Sequence, residues 1–412
     1  MGDFAQLGPV PTLHRIGDRP TEELERDLLA WSSRSPMALV LPMLHDELDR
    51  PALRRIVDEL AAARYLTEVV IGLDGADRRR YEATVDLFAP LPIPTTVLWH
   101  DGARLSAIDA ELQKAELAPV GRGKGRNVWY CLGHLLATER VEVVALHDAD
   151  IATYSRRLPA RLLYPVAHPR FGYRFAKGYY YRTDGTTLNG RVTRLLVTPL
   201  LRALRRVLGP GEHQVHLERL AAYRYPLAGE VAMRRNVAAE LAVPSDWSVE
   251  VDMLGEVHRR LAPRQVCQVD VAERYDHKHQ PLSADDPTGG LHRMAIDITG
   301  ALLRRLAQDG AVIDADILRT VAAAYEGEGL DLVETYGHDA EINGLAANRQ
   351  TDVQMVAVFA AAVAAAGTAY LAEPGTSGRG APWSQVFDAV PDIGARIVDA
   401  VDRDRRDLLG DG

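Results

Sequence analysis

The stretch LHDADI, residues 146 to 151, places two carboxylates, Asp148 and Asp150, one residue apart behind the largely apolar run Val141 to Ala145. That run reads as a strand, and residues i and i+2 of a strand point to the same side. Two acids so close repel each other unless a cation lies nearby. A hard divalent ion with oxygen ligands, Mg2+ or Mn2+, is the natural partner, and such an ion also holds substrate phosphates. The alternative is a strand-end turn with two solvated acids.

Four further stretches carry chemistry-capable residues. GRGKGRN, Gly121 to Asn127, sets Lys124 among glycines, a compact positive charge suited to phosphate where the backbone can come close to a ligand. Its spacing is neither a Walker loop nor a dinucleotide fingerprint, and alone it would pass for a flexible basic loop. TTLNGRVTR, Thr186 to Arg194, joins a turn at Gly190 to Arg191, Val192, Thr193 and Arg194 just before a helix. Backbone N–H groups at a helix start, with arginine and a hydroxyl, make an anion pocket. PLAGE and PSDWSVE bring Gly229, Glu230, Asp246, Trp247 and Glu250 among apolar neighbours. Sugar sites use such carboxylates to accept hydroxyl hydrogen bonds and such an indole to stack a ring. ERYDHKHQP holds His277 and His279 beside Arg274 and Lys278, and a neutral imidazole can complete a metal site.

The elements that must position these residues alternate. Ala38 to Leu41 reads as a short buried strand ended by Pro42, followed by a helical period over DRPALRRIVDELAAARY. LTEVVIGLDGAD is a second strand with a turn at Asp74-Gly75. RRRYEATVDLFAPL is a helix, PTTVLWH a strand, RNVWYCLGHLLATE a helix and VEVVALHDAD a fourth strand. Near-continuous apolar strands alternating with helices predict an α/β fold, a mainly parallel sheet covered on both faces. Ligands of such sheets sit at the carboxyl ends of the strands, where Pro42, Asp74, Asp148 and Asp150 fall. Beyond residue 200 the spacing is helical, and Val356 to Ala366 reads as a buried helix too short and too alanine-rich to span a bilayer.

The formal net charge of −9 argues against a general nucleic-acid binder. The two cysteines, Cys131 and Cys267, lie outside any metal-type spacing and suit a reducing cytoplasm, and the N-terminus lacks a signal-peptide core. No membrane association is expected.

Taken in order, VLPMLHDE, GKG, DAD, GRVT, PLAGE, DWSVE and the late histidine of RYDHKH resemble the retaining, nucleotide-sugar-dependent glycosyltransferases of the GT-A architecture. The nearest likeness is to the glucosyl-3-phosphoglycerate synthases and the related mannosyl-3-phosphoglycerate and mannosylglycerate synthases. The resemblance spans about residues 35 to 285. It implies a GT-A (Rossmann-like) catalytic domain over 36–285, an N-terminal lead-in over 1–35 and a mostly helical C-terminal region over 286–412, the last a candidate for homodimerisation.

The same resemblance assigns residues. Pro42, Met43, Leu44, Asp46 and Asp74 would face the nucleotide, with Asp148, Ala149 and Arg274, and Lys124 would support the donor diphosphate. Asp150 would ligate Mg2+ or Mn2+, with Asp148 beside it and a late histidine completing the set. That histidine is placed at His277, with His279 or Asp276 as alternatives. Gly190, Arg191, Val192 and Thr193 would hold the phosphate of 3-phosphoglycerate, with Trp247 near the acceptor. Leu227, through its carbonyl, and Glu250 would stand at the reacting hexose. GRVT favours a phosphorylated acceptor over free glycerate, whereas SDW and MRRNVAAEL lean toward the mannosylglycerate synthases, so glucose against mannose and UDP against GDP stay open. The expected activity is transfer of a hexose, glucose favoured, to the 2-hydroxyl of 3-phosphoglycerate, without a protein nucleophile. A sugar-phosphate nucleotidyltransferase is the more distant alternative, disfavoured because PMLHDE lacks its glycine-rich loop.

Overall fold

The computed structural model describes residues 6, 8–277, 290–375 and 378–409. Eight strands form one sheet: β1 (Thr12–Leu13), β2 (Met37–Leu44), β3 (Leu66–Asp74), β4 (Thr95–Trp99), β5 (Val143–Leu146), β6 (Phe175–Arg182), β7 (Val231–Arg234) and β8 (Val266–Tyr275). Their order is β1-β8-β6-β7-β5-β2-β3-β4, with β7 antiparallel to both of its neighbours and every other pairing parallel. The sheet is therefore mainly parallel, as the sequence predicts, with one reversed strand that the pattern did not reveal. Short β1 and β7, of 2 and 4 residues, carry too little periodicity to be read from sequence.

Pro42 does not end β2. The strand runs on to Leu44, with Pro42 opposite Gly72 of β3. Pairing with β5 stops at Val40–Leu146, so the far side of β2 has no strand to serve. A proline there removes no ladder bond on that side. The lead-in is likewise partly structured, with β1 at the sheet edge and a helix over Thr21–Trp31.

Both faces of the sheet are covered. One apolar cluster joins Leu39, Val69, Ile71 and Val143 to Leu53, Ile56 and Leu162 of the helices over it. The other joins Val40, Val70 and Val144 to the helix Lys124–Thr138 and extends without a break into the C-terminal helices, through Leu302, Tyr325, Phe359 and Trp383. Each fully buried leucine or phenylalanine stabilises by about 1.5–3 kcal/mol. The helix Arg349–Ala372 is longer than the stretch read from sequence, and by length and composition alone it could cross a membrane. Here it packs against Gly290–Gln308 and Ala315–Ile342, burying Met355, Phe359 and Val363.

Candidate active site

The carboxyl ends of β2, β3 and β5 open onto a cavity of about 550 Å3. Lys124 begins the helix Lys124–Thr138, which Asn127 ties to β3 by donating from Nδ2 to the Gly72 carbonyl at 2.7 Å. The glycines around Lys124 serve the protein itself. A Cβ on Gly123 would lie 2.1 Å from the Ser245 carbonyl, and one on Gly125 would lie 1.7 Å from that of Pro244. Only glycine lets this helix start press on the segment leading to Trp247 and Glu250.

That contact brings the charges together. Lys124 Nζ stands 2.5 Å from Asp148 Oδ1 and donates to Glu250 Oε1 at 2.8 Å. Burial opposes its charge, but Asp148 and Glu250 outweigh burial and hold the ammonium well above the usual lysine range. For Asp148, burial pushes upward and the Lys124 ammonium more than reverses it, so the carboxyl lies below its ordinary value. Gly229 closes over the pair: a Cβ there would sit 2.7 Å from both Asp148 carboxylate oxygens and 2.8 Å from Lys124 Nζ.

Asp150 behaves oppositely. β5 ends at Leu146, so Asp148 and Asp150 lie on a turn and do not share a strand face as the sequence suggested. Asp148 goes to Lys124. Asp150 faces His277, with Oδ2 3.7 Å from Nδ1. A backbone bridge between Ile151 and His277, and the Ala152 N–H donating to the Asp276 carbonyl at 2.8 Å, bring the two strand ends together. Burial, then Asp148 and Glu47, push the Asp150 carboxyl up to about 7. Among the described residues no three His, Cys, Asp or Glu side chains converge as a ready-made cation cage. Asp150 and His277 still fit a divalent ion, since the half-buried acid has no lysine or arginine in ion-pair reach and a ring nitrogen is close. His279 lies outside the described residues.

Other predicted residues divide between wall and periphery. Pro42, Met43, Leu44, Asp74 and Ala149 line the cavity, as does Trp247, which is 40% exposed. Asp46 does not line it: it turns outward to His45, 2.8 Å away, and the buried neighbour Glu47 takes its place. Asp74 is engaged by Arg122 at 2.6 Å. Arg274 is exposed and stands beside Gly185, away from the cavity wall. Glu230, read as a sugar-facing acid, is fully buried and accepts hydrogen bonds from Tyr180 and Tyr275. Leu227 packs half-buried against the larger apolar cluster, one residue before Ala228, whose carbonyl accepts from the buried Lys177.

Gly190 and Arg191 precede a π-helical turn over Val192–Val197. Arg191 reaches Asp352 at 3.5 Å from the surface side, and Arg194 is buried against the Leu188 and Asn189 carbonyls. Thr193 Oγ1, Asn189 Nδ2 and Arg182 Nε are buried without a hydrogen-bond partner among the described residues.

No family model matches the chain. The curated glucosyl-3-phosphoglycerate synthase of Persephonella marina is 39% identical over 99% of this chain and 100% of its own length. The chain belongs to the glucosyl-3-phosphoglycerate synthase family. It is a glycosyltransferase. A second member, from Methanococcoides burtonii, is 35% identical over 92% of this chain and 93% of its own. The solved synthase of Mycobacterium tuberculosis, crystallised with Mn2+, uridine-diphosphate-glucose and phosphoglyceric acid, aligns with a TM-score of 0.53 at 23% identity, over 73% of this chain and 88% of that one. At that identity the likeness establishes the GT-A fold. Membership also removes the nucleotidyltransferase alternative and places the chain with the glucosyl enzymes rather than their mannosyl relatives.

Glu47, Arg122, Arg182 and Lys177 were not found from sequence. Arg122, Arg182 and Lys177 meet partners distant in the chain, Asp74, His277 and the Ala228 carbonyl, whereas Glu47 pairs locally with Arg50 and is told from Asp46 only by its burial.

Proposed function

We propose that this chain transfers glucose from UDP-glucose to the 2-hydroxyl of 3-phosphoglycerate with retention of configuration. The observation that carries the reading is the paired arrangement of Lys124–Asp148 and Asp150–His277 at the strand ends, in a chain alike end to end to a glucosyl-3-phosphoglycerate synthase. Asp150 and His277 would hold Mg2+ or Mn2+, which supplies charge neutralisation to a departing diphosphate. Lys124, locked between Asp148 and Glu250, sets a fixed positive charge on the same leaving group, and a preorganised charge needs no rearrangement during the reaction. Pro42, Met43, Leu44 and Asp74 would seat the nucleotide, Glu250 would orient sugar or acceptor hydroxyls, and Trp247 would bound the hexose on the acceptor's side. The Leu227 carbonyl would face the reacting sugar. Arg191 and the turn Gly190 to Thr193 would take the acceptor's phosphate, a role supported by the buried, unmatched donors of Thr193, Asn189 and Arg182. The reading gives Arg274 a lesser part at the donor phosphates.

The same reading sets the enzyme in the cytoplasm, where the buried free thiols of Cys131 and Cys267 suit a reducing medium. It keeps a lead-in, a catalytic domain and a helical C-terminal region as three parts. It also expects a homodimer through that region, supported by the exposed alanines 357, 361, 364, 365 and 369 on Arg349–Ala372 and checked by light scattering.

The test is a matrix of UDP-glucose, GDP-glucose and GDP-mannose against 3-phosphoglycerate and D-glycerate, with Mg2+ or Mn2+ and product read by mass. A phosphorylated glucosylglycerate from UDP-glucose is the expected product. Transfer to free glycerate alone would sink the acceptor assignment and Arg191's part in it.

A further inference from the structure

Arg182, the last residue of β6, touches both halves of this proposed chemistry. Its guanidinium donates from Nη1 to Nε2 of His277 and to the Tyr225 hydroxyl at 3.3 Å, and it lies over the Tyr275 ring with Cζ 5.8 Å from the centroid. Its stem runs under the acceptor turn: a Cβ on Gly190 would lie 3.2 Å from Arg182 Cβ and Cγ, and the Asn189 N–H donates to the Arg182 carbonyl at 2.8 Å.

A neutral imidazole has one N–H and one lone pair. Here Nε2 spends its lone pair accepting from Arg182. If a divalent ion takes Nε2, that lone pair is gone. If the ion takes Nδ1, Nε2 must carry the proton and can no longer accept. By either route the Arg182–His277 hydrogen bond is lost, and the guanidinium is left beside a divalent charge that repels it. The turn at Gly190, against which its stem packs, offers that positive group a place, and there its own Nε and the donors of Asn189 and Thr193 are unmatched among the described residues.

We propose that Arg182 couples cation binding to acceptor binding: it holds His277 while no cation is present, and it turns to the acceptor's anionic group when a cation displaces it. The inference rests on the reading of Gly190 to Thr193 as the acceptor site. Coupling of this kind is reciprocal, so the acceptor must tighten the cation as the cation tightens the acceptor.

The experiment titrates Mn2+ into the full chain by electron paramagnetic resonance at saturating UDP, with and without 3-phosphoglycerate, for the wild type, Arg182→Met and Arg191→Met. In the wild type, 3-phosphoglycerate should tighten Mn2+ by at least about fivefold. Arg182→Met should hold Mn2+ more tightly than the wild type without acceptor and lose the response to it. Arg191→Met should keep the wild-type Mn2+ affinity without acceptor. A wild type that binds 3-phosphoglycerate by calorimetry yet shows no change in Mn2+ affinity overturns the coupling, as does an Arg182→Met that binds Mn2+ no better than the wild type. If Arg182→Met fails to fold, the wild-type titration alone decides. Absence of any 3-phosphoglycerate binding overturns the acceptor reading, and the coupling falls with it, a pattern distinct from binding without coupling.

Discussion

Two acids separated by a single residue live in opposite surroundings. Asp148 is paired with Lys124, which Glu250 holds from the other side, and its carboxyl is held below the ordinary range. Asp150 is half-buried with no lysine or arginine in ion-pair reach, and partial burial and the neighbouring Asp148 push its carboxyl up to about 7. One acid is neutralised within the protein, and the other would be balanced by the cation proposed for it. The lesson is that a motif of two like residues can meet two unlike surroundings: one acid is paired with an ammonium, and the other faces an imidazole.

The comparison breaks most sharply at Asp150. Asp150→Asn should lower kcat/KM by about 10^3-fold or more, the scale for losing a key electrostatic group. Its unfolding temperature in chelator should not fall, because the charge removed is one the fold disfavours. Lys124→Met should lower activity by about 10^2-fold and also destabilise by about 1.5–3 kcal/mol, since it leaves the half-buried carboxylates of Asp148 and Glu250 without their cation. Equal thermal stability of these two variants in a calorimeter would erase the distinction. Arg191→Met should raise the KM for 3-phosphoglycerate about tenfold, roughly 1.4 kcal/mol, with kcat little changed, because Arg191 is exposed and its Asp352 contact is long. An unchanged KM would remove it from the acceptor site.

The smallest effect is one of pH, at Asp297 on the cavity wall. Burial, then Asp246, raise its carboxyl to about 6 against the opposing Arg293. The folded state therefore keeps a proton that the unfolded chain releases near pH 4, so this group's contribution is fully favourable below that pH and is lost as pH rises to about 6. Asp297→Asn should gain thermal stability over the wild type at pH 8 and show no such gain at pH 4, as melts at the two pH values would reveal.

How much of this was legible follows from what each residue's role depends on. That Lys124 meets Asp148 and that Asp150 meets His277 was readable because residue type and order in the chain point to it. Glu250 was readable through the DWSVE segment. The GRVT turn was visible as an anion-binding pattern, but its link to His277 was not, since that link is Arg182, supplied by β6 and aimed across the sheet end. The extent of β2 was misjudged because proline's cost depends on whether a neighbouring strand needs its N–H, which is a matter of topology. Asp46 and Glu47 could not be told apart from sequence, because adjacent acids in a single turn of 3-10 helix face opposite ways once His45 and Arg50 have claimed them.

The tight seating of Gly123 and Gly125 against the Pro244 and Ser245 carbonyls has a consequence for redesign. Anyone wishing to widen the range of accepted sugars would turn first to the exposed Trp247 and its neighbours. The segment can be re-lettered, but it cannot be lengthened or re-routed, because its main chain is the mould in which the start of the lysine helix is cast. Libraries that vary side chains at 246 and 247 should yield folded enzymes with altered donors, whereas insertions between 243 and 246 should yield none.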